Sequence, residues 1–208
     1  MRRGKSKVNL LISKIVSSIV QIVLFSAIPF VWWFITARKH EKFSSWIGLK
    51  RIDGGKKTFV AILMLSAAFV LSGVITLYLI RDIETATSEF AGLGATAIPA
   101  IVIYAFFNTA FSEELLFRGF LLKRLANKFG FNIANLIQAF LFGLVHGVMF
   151  FSLVGVVKAI FIIVFTGTIA WFMGYINEKR SNGSIIPSWL IHGISNLFSG
   201  ICAAFSII

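Results

Sequence analysis

The sequence has little charge, a single cysteine and none of several common hydrolase motifs. Asp, Glu, Lys and Arg make up 13% of the 208 residues, about half of the roughly 25% found in soluble domains. The lone Cys202 excludes an intramolecular disulfide. Alternating segments of ~10 residues are absent, which excludes an outer-membrane barrel. The composition therefore argues against a soluble protein and against a β-barrel.

Apolar residues dominate what is present. They make up 58% of the chain, with 23 Phe and a mean hydropathy of +0.89. Several runs reach the roughly 20 residues that cross a bilayer as a helix. We predict an all-α, polytopic membrane protein with about six transmembrane helices and a polar intramembrane cavity. The predicted spans are Val16 to Thr36, Phe59 to Ile80, Thr96 to Leu116, Ile133 to Phe151, Val154 to Ile176 and Ile185 to Ile208.

The net charge of +12 is concentrated in short segments between these spans. Such clusters orient a membrane protein and contact anionic lipid, so the expected partner is the bilayer and not nucleic acid. Residues 38–57, 123–128 and 179–180 hold most of the basic side chains, which places these three loops in the cytoplasm. The opposite side carries Arg81, Lys158 and an acidic patch. The basic N-terminal tail disagrees, since six spans place it on that opposite side.

Two adjacent glutamates and an arginine end the third apolar run. Burying a carboxylate within the membrane costs free energy, so we expect it to have a polar or charged partner or a functional role. Glu113 and Glu114 point about 100° apart on a helix. Glu114 and Arg118 are four residues apart and share a face, which predicts an ion pair. That pair leaves Glu113 free to face another helix.

Two of the three histidines lie in later apolar runs. His146 lies in the fourth span, while His192 lies in the sixth with Asn196 one turn further on. His40, in a charged loop, is interpreted as a solvated surface residue. Two histidines and a glutamate match the ligand set of a catalytic zinc, which makes His146, His192 and Glu113 a candidate Zn²⁺ site.

The same residues also suit catalysis without metal. Glu113 and His146 can deprotonate a water molecule, with His192 and Asn196 donating to the oxyanion. The His-Glu-x-x-His motif of soluble zinc proteases is absent, as is the Gly-x-Ser-x-Gly elbow of serine hydrolases. Cys202 has no nearby partner, so a covalent nucleophile is not expected. The sequence leaves the metal and metal-free mechanisms open.

Three motifs in order resemble the CPBP intramembrane proteases, also called the Abi or CAAX-protease-related family. They are Glu-Glu-x-x-x-Arg at 113–118, Phe-x-x-x-His at 142–146 and His-x-x-x-Asn at 192–196. The resemblance covers roughly Ile98 to Phe198. It predicts one transmembrane domain over 1–208, with N-terminal spans and a basic loop in 1–95 and a catalytic core in 96–208.

The resemblance implies a role for each motif residue. Glu113 and His146 would activate water, His192 and Asn196 would donate to the oxyanion, and Glu114, Arg118 and Phe142 would support them. It also implies a cavity open to the cytoplasm, where a peptide bond of a small peptide or membrane protein is cut. The small chain without added domains is typical of bacterial members, which indicates a multi-pass protein of the bacterial plasma membrane.

Two other functions compete with proteolysis. Bacterial relatives are associated with bacteriocin self-immunity and with scaffolding, so the polar cluster could belong to a non-catalytic membrane partner. A transporter also places acids and histidines in the membrane. Paired broken helices and an inverted repeat are not seen in the sequence, which disfavours transport.

Overall fold

The computed structural model describes residues 2–207, and most of them lie in helices. The helices are α1 (Arg2–Thr36), α2 (Phe43–Trp46), α3 (Gly55–Leu79), α4 (Gly94–Phe129), α5 (Phe131–Arg180) and α6 (Ile186–Ala204). No strand occurs in the part of the chain that the structure describes. The prediction of an all-α membrane protein is confirmed.

Four of these helices are long and apolar enough to cross a membrane: α1, α3, α4 and α5. The fourth and fifth predicted spans both lie in α5, whose 50 residues exceed one bilayer crossing. The 19-residue α6 is not among the four, and it carries His192 and Asn196 in place of apolar side chains. Ile208, which ends the sixth predicted span, lies outside the described residues.

A single glycine divides α5 into two antiparallel passes. Gly155 has φ 76° and ψ 174°, which is not helical. A side chain is strained at such a positive φ, so glycine suits the bend. The two passes then meet closely, because a Cβ on Gly143 would lie 2.3 Å from the carbonyl oxygen of Ile163. The Asn135 and Gln138 amides join them by donating to the Trp171 and Ala170 carbonyls.

Adding one methyl group at this contact should destabilise the protein. Gly143→Ala forces the two passes apart, and overpacking of this kind costs about 1–3 kcal/mol. Gly73→Ala is the matched control, since nothing lies within 4 Å of its added Cβ. We expect a lower unfolding temperature in detergent for Gly143→Ala and an unchanged or higher one for Gly73→Ala. Equal unfolding temperatures would contradict the close hairpin.

The helices α4 and α6 form the centre of the bundle, with α1 packed on α4 and α3 packed on α6. Gly193 lies against the ring of Phe106, and Gly200 lies against Ile101. The indole of Trp189 donates to the Phe106 carbonyl at 2.6 Å. Small residues on α6 thus allow close packing on α4, which brings the third and sixth predicted spans together.

The basic loops fold into a closed structure at one end of the bundle, here called the basic cap (residues 37–54 and 177–186). The Ile185 N–H donates to the Gly48 carbonyl at 2.9 Å, and the Ser184 hydroxyl donates to the Lys50 carbonyl at 2.7 Å. Lys123 of α4 donates to Glu178 and to the Gly183 carbonyl. These bonds tie the two segments of the basic cap to each other and to α4.

The opposite end is formed by residues 80–97, which comprise the connection from α3 to α4 and the first turn of α4. Phe90 is fully buried there and packs edge-on against Tyr104. Lys14 of α1 pairs with Glu89. The Gly92 N–H donates to the Ala203 carbonyl at 3.3 Å, near the end of α6. This segment therefore lies at the end of the bundle away from the basic cap.

Candidate active site

The helix α4 winds more widely than an α-helix on both sides of the glutamates. Residues 104–111 and 115–122 are π-helical, a form that often marks functional sites. The Thr109 hydroxyl accordingly donates to the carbonyl of Tyr104, five residues earlier. The wider turn brings Tyr104, Thr109 and Glu113 to one face, and all three line one cavity.

Glu113 faces both intramembrane histidines. Its Oε2 lies 3.9 Å from His146 Nε2 and 3.9 Å from His192 Nε2. These distances exceed a direct hydrogen bond, and they suit a bridge by one small molecule such as water. Glu113 Oε2 is buried and makes no hydrogen bond to the protein. The third, fourth and sixth predicted spans therefore converge on one carboxylate oxygen.

The neighbouring Glu114 contacts two other side chains through its Oε1 atom. Arg118 Nη1 donates to Glu114 Oε1 at 2.9 Å, and both side chains are fully buried. His192 Nδ1 lies 3.0 Å from the same oxygen. The ion pair predicted from the four-residue spacing is present. Glu114 thus joins the buried arginine to a histidine of α6.

The hydrogen-bond partners define the tautomers of both histidines. His146 Nδ1 lies 2.8 Å from the Phe142 carbonyl, which can only accept, so Nδ1 carries the hydrogen. His192 Nδ1 faces a carboxylate paired with arginine, and it must donate as well. In the neutral form of each ring, Nε2 therefore holds the lone pair. Both Nε2 atoms lie 3.9 Å from Glu113 Oε2.

Phe142 packs between the arginine and the histidines. The Arg118 guanidinium carbon lies 4.2 Å from the centre of its ring, within cation–π range. The ring also packs at a tilt against His146, with the ring centres 4.4 Å apart, and meets Phe117 edge-on at 5.0 Å. Phe142 is buried. It thereby holds Arg118 in an apolar setting and limits the rotation of His146.

Asn196 is anchored by a residue that the sequence did not single out. Its Nδ2 donates to the Thr109 hydroxyl at 2.7 Å. One Nδ2 hydrogen is thereby used, and one remains for another acceptor. A lone threonine in an apolar helix gives no pattern signal. Only the π-helical winding and the packing of α4 on α6 bring Thr109 to this place.

The cavity beside these groups has a volume of about 250 Å³. Glu113, His146, His192 and Asn196 all line it. Its remaining lining is mixed, with hydroxyl groups from Thr85 and Thr87 and apolar side chains from α3 and α5. An extended peptide can place a carbonyl group beside the carboxylate in such a space.

The donor chemistry of this cluster suits zinc, since two imidazoles and a carboxylate converge and each imidazole is oriented by a second bond. As the side chains stand, no group of three His, Cys, Asp or Glu residues within 2–207 is arranged to hold a metal ion. The Zn²⁺ site at His146, His192 and Glu113 stays a prediction, and we derive no step through a metal.

Comparison with known proteins identifies the family. A family model described as type II CAAX prenyl endopeptidase Rce1-like matches residues 95–198, half of the chain. The chain belongs to this Rce1-like family. Searches of curated proteins and of solved structures find no match to it.

Family membership makes the chain a member of a group of membrane endopeptidases. The matched region contains every motif residue from Glu113 to Asn196, and it starts one residue before the predicted core of 96–208. The division into 1–95 and 96–208 stays a prediction, as do the individual catalytic roles. Several apolar helices together with this family indicate a multi-pass membrane protein.

Proposed function

We propose that this protein is an intramembrane endopeptidase that hydrolyses a peptide bond with water activated by Glu113 and His146. The observation that supports it is the position of Glu113 Oε2, which is buried, makes no hydrogen bond to the protein and lies 3.9 Å from Nε2 of both His146 and His192. The Glu113 carboxylate and the neutral His146 ring both accept hydrogen bonds at these atoms, so a donor is needed between them. A water molecule held there is oriented and polarised at once.

The proposed reaction begins when Glu113 Oε2 takes a proton from that water, while His146 Nε2 accepts a hydrogen bond from it. The water oxygen bonds to the scissile carbonyl carbon, and the carbonyl oxygen becomes an oxyanion. The free Asn196 Nδ2–H donates to this oxyanion. Glu113 then returns the proton to the amide nitrogen, and the carbon–nitrogen bond breaks.

His192 contributes to the oxyanion site only in its doubly protonated form. Its Nδ1 hydrogen is committed to Glu114, so Nε2 needs a second hydrogen in order to donate. Glu114 Oε1 contacts Nδ1 of His192 and also accepts a hydrogen bond from Arg118. In this proposal Glu114 and Arg118 act through His192 and do not touch the substrate.

The substrate we propose is a small peptide or a membrane protein of a bacterial plasma membrane. The description of the family names a CAAX prenyl endopeptidase, and the bacterial setting is part of this proposal. Cleavage near the cytoplasmic face is implied by the sequence resemblance, and it stays a prediction. Immunity or scaffolding without catalysis is the alternative.

Two histidine variants test the proposal. We expect His146→Gln to lower the rate of peptide cleavage by about 10²-fold, the lower end for loss of a general base. His40→Gln is the matched control, because His40 lies exposed in the basic cap, and it should cleave at the wild-type rate. Peptide products are measured by mass spectrometry on detergent-purified protein. Equal rates for the two variants would contradict the proposal.

Adding a chelator to the same assay distinguishes the metal-free mechanism from the zinc mechanism. Cleavage that continues in excess chelator, by protein that holds no zinc on metal analysis, supports direct activation of water. Stoichiometric zinc with chelator-sensitive cleavage would instead support the zinc prediction, with the same three side chains as ligands.

A further prediction concerns Thr109, whose hydroxyl accepts a hydrogen bond from Asn196. Thr109→Val removes the oxygen that fixes the amide, and cleavage should fall about fivefold, since one net hydrogen bond is worth roughly 1 kcal/mol. Thr109→Ser keeps the hydroxyl and should restore most of the rate. The loss should lie mainly in kcat. If valine and serine gave the same kcat, Thr109 would have no positioning role.

A further inference from the structure

An apolar groove runs along the outer side of the α5 hairpin, between its two passes. It has a volume of about 380 Å³, and it shares no lining residue with the catalytic cavity. We call it the hairpin groove, and its lining includes Leu136, Ala139, Phe140, Val164, Gly167 and Trp171. The Leu136, Phe140 and Val164 side chains are exposed, so the groove opens toward the lipid.

The floor of the hairpin groove consists of small residues at which the two passes touch. A Cβ on Gly167 would lie 3.2 Å from the carbonyl oxygen of Ala139. The Thr168 hydroxyl, which also lines the groove, donates to the Val164 carbonyl at 2.7 Å. Its hydrogen is thereby used within the helix. The groove thus offers an apolar surface that fits a hydrocarbon chain.

The length of the hairpin groove matches one leaflet of a bilayer. On the second pass its lining extends from Ile163 to Phe172, a rise of about 14 Å in a helix. One leaflet contributes about 15 Å to a hydrocarbon core of roughly 30 Å. The groove lies in the half of the pass that leads to the basic cap, so its depth suits an acyl chain of that leaflet.

Aromatic rings connect the hairpin groove to two cations at the end of α5. The Trp171 ring stacks on the Tyr175 ring at 5.8 Å. The Tyr175 ring centre lies 6.0 Å from the Arg180 guanidinium carbon and 6.5 Å from the Phe131 ring. Lys179 Nζ lies 4.5 Å from the centre of the Phe131 ring. Both cations are exposed, and they lie about two helical turns beyond Trp171.

The charges of Lys179 and Arg180 are not balanced by a nearby acid. Glu178 is bonded to Lys123 at 2.6 Å, and Asp53 accepts a hydrogen bond from the N–H of the residue that follows it. Within residues 2–207 neither cation forms an ion pair. The end of the groove therefore presents two positive charges to a ligand.

We propose that the hairpin groove binds one anionic phospholipid of the cytoplasmic leaflet, with an acyl chain in the groove and the phosphate at Lys179 and Arg180. Basic groups beside a cleft between membrane helices bind acidic headgroups on this face. Trp171 is partly exposed, and its indole N–H makes no hydrogen bond within the described residues. It can donate to a glycerol-ester carbonyl of the lipid. This inference does not depend on the proposed proteolysis.

The bound lipid would also support the catalytic groups from outside. Ala139 of the groove floor packs in one buried cluster with Phe142, which contacts Arg118 and His146. A chain that covers this floor opposes separation of the two passes. Phosphatidylglycerol should therefore raise the unfolding temperature in detergent, as any ligand of the folded state does.

Quenching of tryptophan fluorescence by brominated lipids tests the site without any cleavage. The protein is placed in phosphatidylcholine vesicles that contain a minor fraction of phosphatidylglycerol, and one of the two lipids carries bromine on its acyl chains. The Trp171 signal is the part that Trp171→Phe removes. We expect phosphatidylglycerol to be enriched about fivefold over its share of the lipid, given roughly 1 kcal/mol for each nearby cation. Lys179→Gln/Arg180→Gln should abolish the enrichment, whereas the matched control Lys56→Gln/Lys57→Gln, an exposed pair at the start of α3, should keep it.

A second pair of variants tests the position of the acyl chain. Thr168→Phe fills the groove and should weaken quenching of Trp171 by either brominated lipid. Val157→Phe should not, because Val157 is 82% exposed on the same pass and lies outside the groove. The unfolding temperature of each variant confirms that it is folded. Absence of enrichment in the wild type, equal loss in the two charge variants, or unchanged quenching in Thr168→Phe would overturn the site and leave only bulk lipid at this surface.

Discussion

Arg118→Met should give the largest loss of stability among the substitutions proposed for this protein. It leaves the fully buried Glu114 carboxylate without its cation, and breaking a buried ion pair costs about 3–5 kcal/mol. The contact between the guanidinium and the Phe142 ring is lost as well. The unfolding temperature in detergent should fall accordingly, or the variant should fail to accumulate in the membrane.

Two control variants test whether the loss of stability comes from the buried ion pair. Arg51→Met removes an exposed arginine of the basic cap and should change stability by no more than about 0.5 kcal/mol. The double variant Glu114→Gln/Arg118→Met buries no unpaired charge, so it should be more stable than Arg118→Met alone. If Arg118→Met were as stable as Arg51→Met, the account of a buried, charged support for His192 would be wrong.

Glu113→Gln should give the largest loss of activity, about 10³-fold, within the range for removal of a general base. Glutamine keeps the shape of the side chain but cannot take a proton from water. Stability should be retained, since Glu113 Oε2 makes no hydrogen bond to the protein. The measurements are the cleavage rate and the unfolding temperature of the purified variant.

The neighbouring glutamate provides the control. Glu114→Gln removes the charge that pairs with Arg118 and orients His192, so it should lower both stability and activity. The two substituted residues are adjacent in the sequence. Glu113→Gln should lose activity alone, whereas Glu114→Gln should lose both stability and activity. A folded Glu113→Gln variant that cleaves at the wild-type rate would exclude Glu113 as the base.

Much of this arrangement follows from the sequence. Apolar runs predict the helices because a membrane helix needs about 20 such residues. The four-residue spacing of Glu114 and Arg118 predicts their ion pair, which the structure contains. The 100° separation of neighbouring residues predicts that Glu113 faces a different direction from Glu114, and Glu113 does face the two histidines.

The remaining features depend on long-range packing. Thr109 reaches Asn196 because α4 is π-helical and α6 packs closely on it, and neither property has a short sequence pattern. The bond from His192 to Glu114 joins residues 78 positions apart. The closed basic cap joins loops that look like separate solvated segments in the sequence, so its closure could not be predicted from the sequence.

The most direct test of the central claim compares peptide termini in membranes from cells that express wild-type protein or the folded Glu113→Gln variant. Mass spectrometry of newly formed amino termini finds a cleaved protein even when the substrate is unidentified. We expect at least one peptide or membrane protein to gain a new terminus with the wild type and not with the variant. Identical termini, together with full retention of any protective effect on the cells by Glu113→Gln, would contradict proteolysis and favour an immunity or scaffold protein.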